Sequence, residues 1–308
     1  FRKEVIFMIH DTKHLIYTAK PNEEMYWERV NRSLGWLGNT EAEQRERQEK
    51  LKNAVIGIAG TGGIGGQLAQ RLVRLGVRNL KLADPDTFDI SNMNRQMGAD
   101  LEHIGKNKAE VVAEMTYALN HDVNIAVYPE GITPETAQDF VEDCDYVLDQ
   151  MDFYEVANRY ALHRAFRKSD KAKFIFKVPT VAHGTYIFKY TKDSMTIEDV
   201  YGIKEDSPLS PEVIHRLMER IIPKMPNYPS EETLDHWFID LERMPIFAAC
   251  PPIAEGVLAE RLAQAITEVD QLPGAAKIPV QPGYVYFDTL SWSTEIHEGK
   301  WWSDDSKI

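Results

Sequence analysis

Only two cysteines, Cys144 and Cys250, occur among the 308 residues of this chain. That excludes a disulfide framework and a four-cysteine zinc site, so no zinc is expected and a reducing cytoplasm is the simplest setting. Long apolar runs are missing too. None approaches the ~20 residues needed to span a bilayer, and charge interrupts the opening run FRKEVIFMIHD too early for a secretory signal. No membrane association is expected. Positive charge is in deficit: 48 acidic against 35 basic side chains give a formal net charge of -13. Without a net positive field, wholesale binding of nucleic acid is not expected, which leaves room only for local basic pockets. The nine histidines form no cluster, and there is no internal repeat or low-complexity tract.

What is present is 43% hydrophobic content, enough for an ordinary packed core. From Ala54 onward, buried-strand and amphipathic-helix patterns alternate: AVIGIAG, helix 64–75, LKLAD, helix 106–119, NIAVYPE, helix 133–142, YVLDQ, helix 155–168 and FIFKVP. Continuous apolar strands between helices predict an α/β fold, a doubly wound, mostly parallel sheet with helices on both faces. Residues 1–22 read as a small N-terminal extension with a hairpin in residues 4–17, Val5 to Ile9 forming one strand. Residues 23–52 read as helices outside the sheet, the run EAEQRERQEKL being a solvated face. After Thr185, YIFKYT predicts an antiparallel strand. Residues 191–249 read as a polar, proline-punctuated insertion or crossover without a core-sized apolar content, although EVIHRLMERII has helical spacing. A long helix over 253–269 and a last strand at 285–288 close the pattern within 250–308.

The chemistry concentrates between residues 55 and 108. Gly60, Gly62, Gly63 and Gly65 form a G-x-G-x-x-G turn between a buried strand and a helix, where backbone amides approach a phosphate. Many unrelated nucleotide binders share that device. Asp84 ends the next strand where a ribose-binding acid is expected; Asp86 beside it fits a turn equally well. Asn92, Arg95 and Gln96 crowd the following loop, and a planar guanidinium there can grip a phosphate through two donors. Lysine at the start of the helix opened by GKNK opposes the helix dipole unless an anion is close, and either Lys106 or Lys108 satisfies this reading. Such cations suit a triphosphate. A nicotinamide-dependent oxidoreductase would leave Arg95, Gln96 and Lys108 without a purpose, and a non-catalytic nucleotide-binding module would be expected to lose some of them.

The segments GTGGIG, DPDTFDISNMNRQ, GKNK and DQMD together resemble the ThiF, MoeB and HesA family of adenylating enzymes, kin to the adenylation domains of ubiquitin-activating enzymes. The resemblance covers roughly residues 25–190 and resumes at 250–290. It implies a single adenylation domain over 23–308, with its nucleotide-binding core at 54–190. It also implies that Mg-ATP is bound and that the C-terminal carboxylate of a ubiquitin-like or sulfur-carrier protein, or of a peptide, becomes an acyl adenylate as pyrophosphate leaves. Asp84 then resembles the ribose acid, Asn92, Arg95, Gln96 and Lys108 the ATP contacts, and Asp152 the magnesium-associated acid. Arg32 resembles an arginine that reaches into a partner subunit's ATP site, which implies a homodimer. Cys250, in AACPPIAEG, resembles a cysteine that relatives use covalently just before their C-terminal helix, whereas Cys144 reads as structural. The family's paired C-x-x-C zinc ligands are absent.

Overall fold

The computed structural model describes residues 14–303 apart from 227, 242 and 243, and the strand expected at Val5 to Ile9 lies outside the described residues. Five strands, β2 (Val55–Ala59), β3 (Asn79–Ala83), β4 (Asn124–Tyr128), β5 (Tyr146–Asp149) and β6 (Phe174–Lys177), run parallel in the order β4-β3-β2-β5-β6. Because β2 comes first in the chain yet sits in the middle, the winding reverses between β2 and β5, which opens a crevice at the carboxyl ends of those strands. Strand β1 (Leu15–Tyr17) pairs antiparallel with β4, the described remnant of the expected hairpin region. Beyond β6 the sheet turns antiparallel through β7 (Thr180–Val181), β8 (Gly184–Tyr190), β9 (Tyr284–Asp288) and β10 (Ser293–His297). β10 was not anticipated; its residues alternate between half-buried and exposed with little apolar content.

Successive residues of a strand face opposite sides, so Ile56 and Ile58 join one core while Val55 and Ala59 join the other. The first core lies under α2 (Glu41–Asn53), α3 (Gly65–Leu75) and α4 (Lys108–Tyr117), with α1 (Glu23–Leu34) outside them. The second lies under α5 (Ala137–Val141) and α6 (Val156–Lys168). α5 begins later than expected because the Thr133 and Thr136 hydroxyls accept the backbone amides of Glu135 and Thr133, diverting them from helical pairing. The polar reading of residues 191–249 needs correction. Its helices α7 (Ile197–Tyr201), α8 (Pro211–Ile221) and α9 (Glu231–Asp235) bury Ile197, Val200, Tyr201, Val213, Ile214, Leu217, Ile221 and Leu234 in the second core. The apolar stripe of α8 has 3–4-residue spacing, and its polar opposite face masks it in any composition average. Helix α10 (Cys250–Thr267) starts three residues before the expected 253 and packs Ala254, Leu258, Leu262 and Ile266 into the first core.

Candidate functional site

At the carboxyl ends of β2, β3, β5 and β6 lies a cavity of about 220 Å³ lined by Gly60, Gly62, Gly63, Asp84, Arg95, Gln96, Lys108 and Asp152. The glycine turn is shaped by two close approaches. Gly60 has φ of +96°, and a Cβ there would stand 2.3 Å from the Gln150 carbonyl oxygen; a Cβ on Gly65 would stand 1.9 Å from the Gly60 carbonyl oxygen. Gly65 therefore serves the packing of α3 on β2 and does not line the cavity. No side chain caps the amino end of α3, and its first turn carries no acid, which leaves that positive end available to an anion.

Asp84 is fixed by its neighbours: Oδ2 accepts the Thr61 amide at 2.7 Å, and Oδ1 accepts the Asp86 amide at 3.0 Å. Burial raises its pKa above the ordinary carboxylate value, against the pull of Lys108 and of these amides. Asn107, which the sequence did not single out, ties the position down by donating to the carbonyls of Asp84 (2.9 Å) and Pro129 (3.0 Å) while capping α4. Lys108 is 7% exposed and donates to the Asp86 carboxylate at 2.8 Å, so the anion that excuses a lysine at this helix start is already present. Lys106 is exposed and outside the cavity, so the geometry chooses Lys108.

Loop 90–96 departs from its expected role in one residue. Asn92 turns inward, where its Oδ1 accepts the Asp89 amide and closes a reciprocal cap on the short helical turn Ile90–Asn94; it does not line the cavity. Arg95 does, with Nη1 donating to the Ser91 carbonyl and to Asn94 Oδ1. Gln67 bridges this loop to the glycine turn, donating to the carbonyls of Gly63 (2.9 Å) and Arg95 (3.1 Å). Gln96 is 6% exposed, and its buried Oε1 lacks a hydrogen-bond partner, as does Gln150 Nε2 in the same wall. Such groups are costly to bury unless a ligand or solvent satisfies them.

The D-x-x-D turn rests on Arg159 of α6, which is fully buried. Its Nε donates to Asp149 Oδ2 at 2.8 Å, and Nη2 donates to the carbonyls of Met151 (2.7 Å) and Asp152 (2.8 Å). His163, one turn further along α6, meets the same Asp149 oxygen at 3.2 Å. Burial alone would raise the Asp149 pKa, but Arg159, Lys177 and His163 outweigh it and hold the carboxyl well below its usual range. Asp152, by contrast, is exposed at the cavity mouth. Lys177, at the end of β6, was missed altogether: it is 4% exposed and lines the cavity, and burial together with the Arg159 charge lowers its pKa to about 7. A second cavity of about 550 Å³ adjoins the first, sharing Arg95, Asp152, Phe153, Met244 and Ile246, and is walled by Trp237 and Leu241.

Two sequence candidates lie elsewhere. Arg32 is exposed on α1 and outside the cavity. Cys250 is 5% exposed, and its Sγ donates to the Ala182 carbonyl at 2.9 Å; burial raises its pKa, as does Asp288. Cys144 is fully buried against β2, donates to the Phe140 carbonyl, and is pushed up to about 12 by burial.

A reversed winding with an uncapped helix, a seated acid and cations at the strand ends defines a doubly wound, Rossmann-like α/β protein. The chain belongs to the ThiF family, whose family model matches residues 32–297. It is 34% identical over 120 residues to the sulfur carrier protein adenylyltransferase of Thermus thermophilus, covering 39% of this chain and 44% of that protein. It is also 34% identical over 109 residues to the tRNA threonylcarbamoyladenosine dehydratase of Bacillus subtilis, covering 35% and 43%. The chain thus spans under half the length of these relatives. A solved structure of E. coli MccB with ATP shares the fold at a TM-score of 0.61 and 18% identity, over 88% of this chain and 72% of that one. Among the described residues no helix is long and apolar enough to cross a membrane.

Proposed function

We propose that this chain is an ATP-dependent adenylyltransferase that converts a carboxylate into an acyl adenylate with release of pyrophosphate. The observation that carries the reading is the meeting of Gly60, Gly62, Gly63, Asp84, Arg95, Gln96, Lys108 and Asp152 around one cavity. The unpartnered Gln96 Oε1 and Gln150 Nε2 fit a ligand rich in donors and acceptors, and the exposed Asp152 would supply a carboxylate to Mg²⁺ when phosphates provide its other ligands. Bound Mg-ATP would supply the electrophilic phosphorus. Asp84 would hold the ribose hydroxyls, and the glycine turn and the amino end of α3 would receive phosphate oxygens. Arg95 and Lys108 would offset the charge that develops on the departing pyrophosphate. No general base is required, because the attacking carboxylate is already ionised at neutral pH.

The carboxylate we assign is the C-terminus of a ubiquitin-like or sulfur-carrier protein, its tail entering by the adjoining cavity. Arg32 would complete the site of the partner subunit in a homodimer, and the cytoplasm suits a chain whose two cysteines are both unpaired. A second reading, adenylation of a ribosomally made peptide for intramolecular capture by an amide or amine, is favoured by one observation. Both cysteines of the chain are buried and hydrogen-bonded through Sγ, and neither lines the cavity as a nucleophile. The test is exchange of labelled pyrophosphate into ATP in the presence of candidate ubiquitin-like proteins and peptides. Exchange that depends on the carboxylate partner is expected; no exchange with any partner, together with tight binding of NAD, would reject the reading.

A further inference from the structure

We propose that Lys177 is the residue that receives the carboxylate of the acyl substrate, an assignment that rests on the adenylation reading above. The argument begins with its isolation. Lys177 is 4% exposed and lines the cavity, yet its Nζ has no hydrogen bond or ion pair among the described residues. Its Nζ lies 5.8 Å from the centre of the Tyr201 ring. The acid directly across the ladder, Asp149, is committed to Arg159 and His163. A buried ammonium that makes no direct ion pair is costly, Asp149 and Asp152 acting on it only from a distance, and an incoming anion within hydrogen-bond reach removes that cost.

Position decides which anion. Across the sheet edge the order is Asp84 at the end of β3, the glycine turn after β2, the D-x-x-D turn after β5, and Lys177 at the end of β6. With strands about 4.8 Å apart, Lys177 lies roughly 10 Å to one side of the glycine turn. Of the groups suited to phosphate, Arg95 and Gln96 stand against Gly63 and Gly62 of the glycine turn, and Lys108 pairs with Asp86 beyond the end of β3. Val178 and Val181 follow Lys177 in the chain, and the same cavity lining adds Phe153, Ile221 and Ile222. A triphosphate is poorly matched to that wall, whereas a carboxylate at the end of an acyl chain matches both the amine and its surroundings.

The test compares wild type, Lys177→Met and Lys177→Arg. Mg-ATP binding is followed by calorimetry, and pyrophosphate exchange is driven by a pool of synthetic tetrapeptides with free C-terminal carboxylates, some ending in Gly-Gly. The same pool as C-terminal amides serves as the blank. Lys177→Met is expected to bind Mg-ATP within about threefold of wild type while KM for the carboxylate pool rises roughly 10- to 100-fold, the loss of one charge-assisted hydrogen bond. Lys177→Arg is expected to recover most of that loss. Unchanged exchange in Lys177→Met overturns the assignment, as does a loss of ATP binding as large as the loss of exchange, which would make Lys177 a phosphate contact. A wild type that binds Mg-ATP but exchanges with no carboxylate in the pool overturns it too. Failure of the wild type to bind Mg-ATP sinks the adenylation reading itself, and the assignment with it.

Discussion

Replacing Arg159 by methionine keeps a long side chain of similar reach but removes every donor that this residue gives to the D-x-x-D turn. Three bonds shorter than 3 Å disappear, one to the Asp149 carboxylate and two to the carbonyls of Met151 and Asp152. Arg159 and Asp149 both have 0% side-chain exposure, so solvent cannot take over the lost contacts. Breaking a buried ion pair from one side costs about 3–5 kcal/mol, because it leaves an uncompensated charge behind. His163 remains beside Asp149 and softens this, which places the expectation near 3–4 kcal/mol. With each kcal/mol shifting Tm by roughly 2–4 °C in a large domain, the fall should be on the order of 6–16 °C. Urea unfolding followed by circular dichroism measures it. The decisive comparison is the double variant Arg159→Met/Asp149→Leu, in which neither member of the pair is left stranded and which should be more stable than Arg159→Met alone by about 2 kcal/mol. A cost below about 1 kcal/mol for the single change, or strict additivity of the two, would refute the claim that this pair organises the turn.

Gly65→Ala should cost about 1–3 kcal/mol in a thermal melt, since its Cβ meets a backbone carbonyl oxygen at 1.9 Å; an unshifted melt would mean that the turn relaxes freely. Cys250→Ala should keep pyrophosphate exchange within about twofold, and the native thiol should resist aromatic disulfide reagents, because burial disfavours the thiolate. A tenfold drop would restore a covalent role to this cysteine. His163 should make the fold acid-sensitive: burial lowers its pKa from the ordinary 6.5, so the unfolded chain takes up a proton that the folded protein refuses. Its contribution is therefore present above pH 6.5 and lost as the pH falls below it, and His163→Gln should flatten the dependence of the urea midpoint between pH 7.5 and 5; an unaltered slope would exclude this source.

The parallel half of the sheet was legible because strands buried on both faces read as largely apolar runs, and β2 to β6 are such runs but for Lys81 inside β3 and polar residues at strand ends. The glycine turn and Asp84 were legible because the backbone demands particular residues there, and a lysine of GKNK because it opposes the helix dipole, although the sequence left Lys106 and Lys108 as alternatives. Asn92 misled, since an asparagine in a polar loop reads as a ligand contact until its reciprocal cap with Asp89 is seen. Arg159 and Lys177 were hidden for a different reason. Each is a single cation inside an otherwise ordinary helix or strand, and only the register of β5 beside β6, with α6 packed over them, gives either one a meaning. Periodicity could have flagged Arg159 with His163, four residues apart on the buried side of their helix.

The two outer margins of the sheet constrain how copies of this protein can meet. At one margin the exposed backbone belongs to the three residues of β1, and the chain leaving it is pinned at once by the bonds from the Ala19 amide to Asn124 and from the Lys20 amide to the His121 carbonyl. At the other, β10 carries Thr294, Glu295 and His297, polar side chains that keep water on its free backbone groups. Among the described residues neither rim offers the long, flat, greasy ladder along which strands zip from molecule to molecule. Among the described residues, apolar side chains open to self-association stand off the helices and loops, where Trp36, Ile90, Met97 and Leu101 are exposed, and a single charged replacement there should weaken it without touching the sheet.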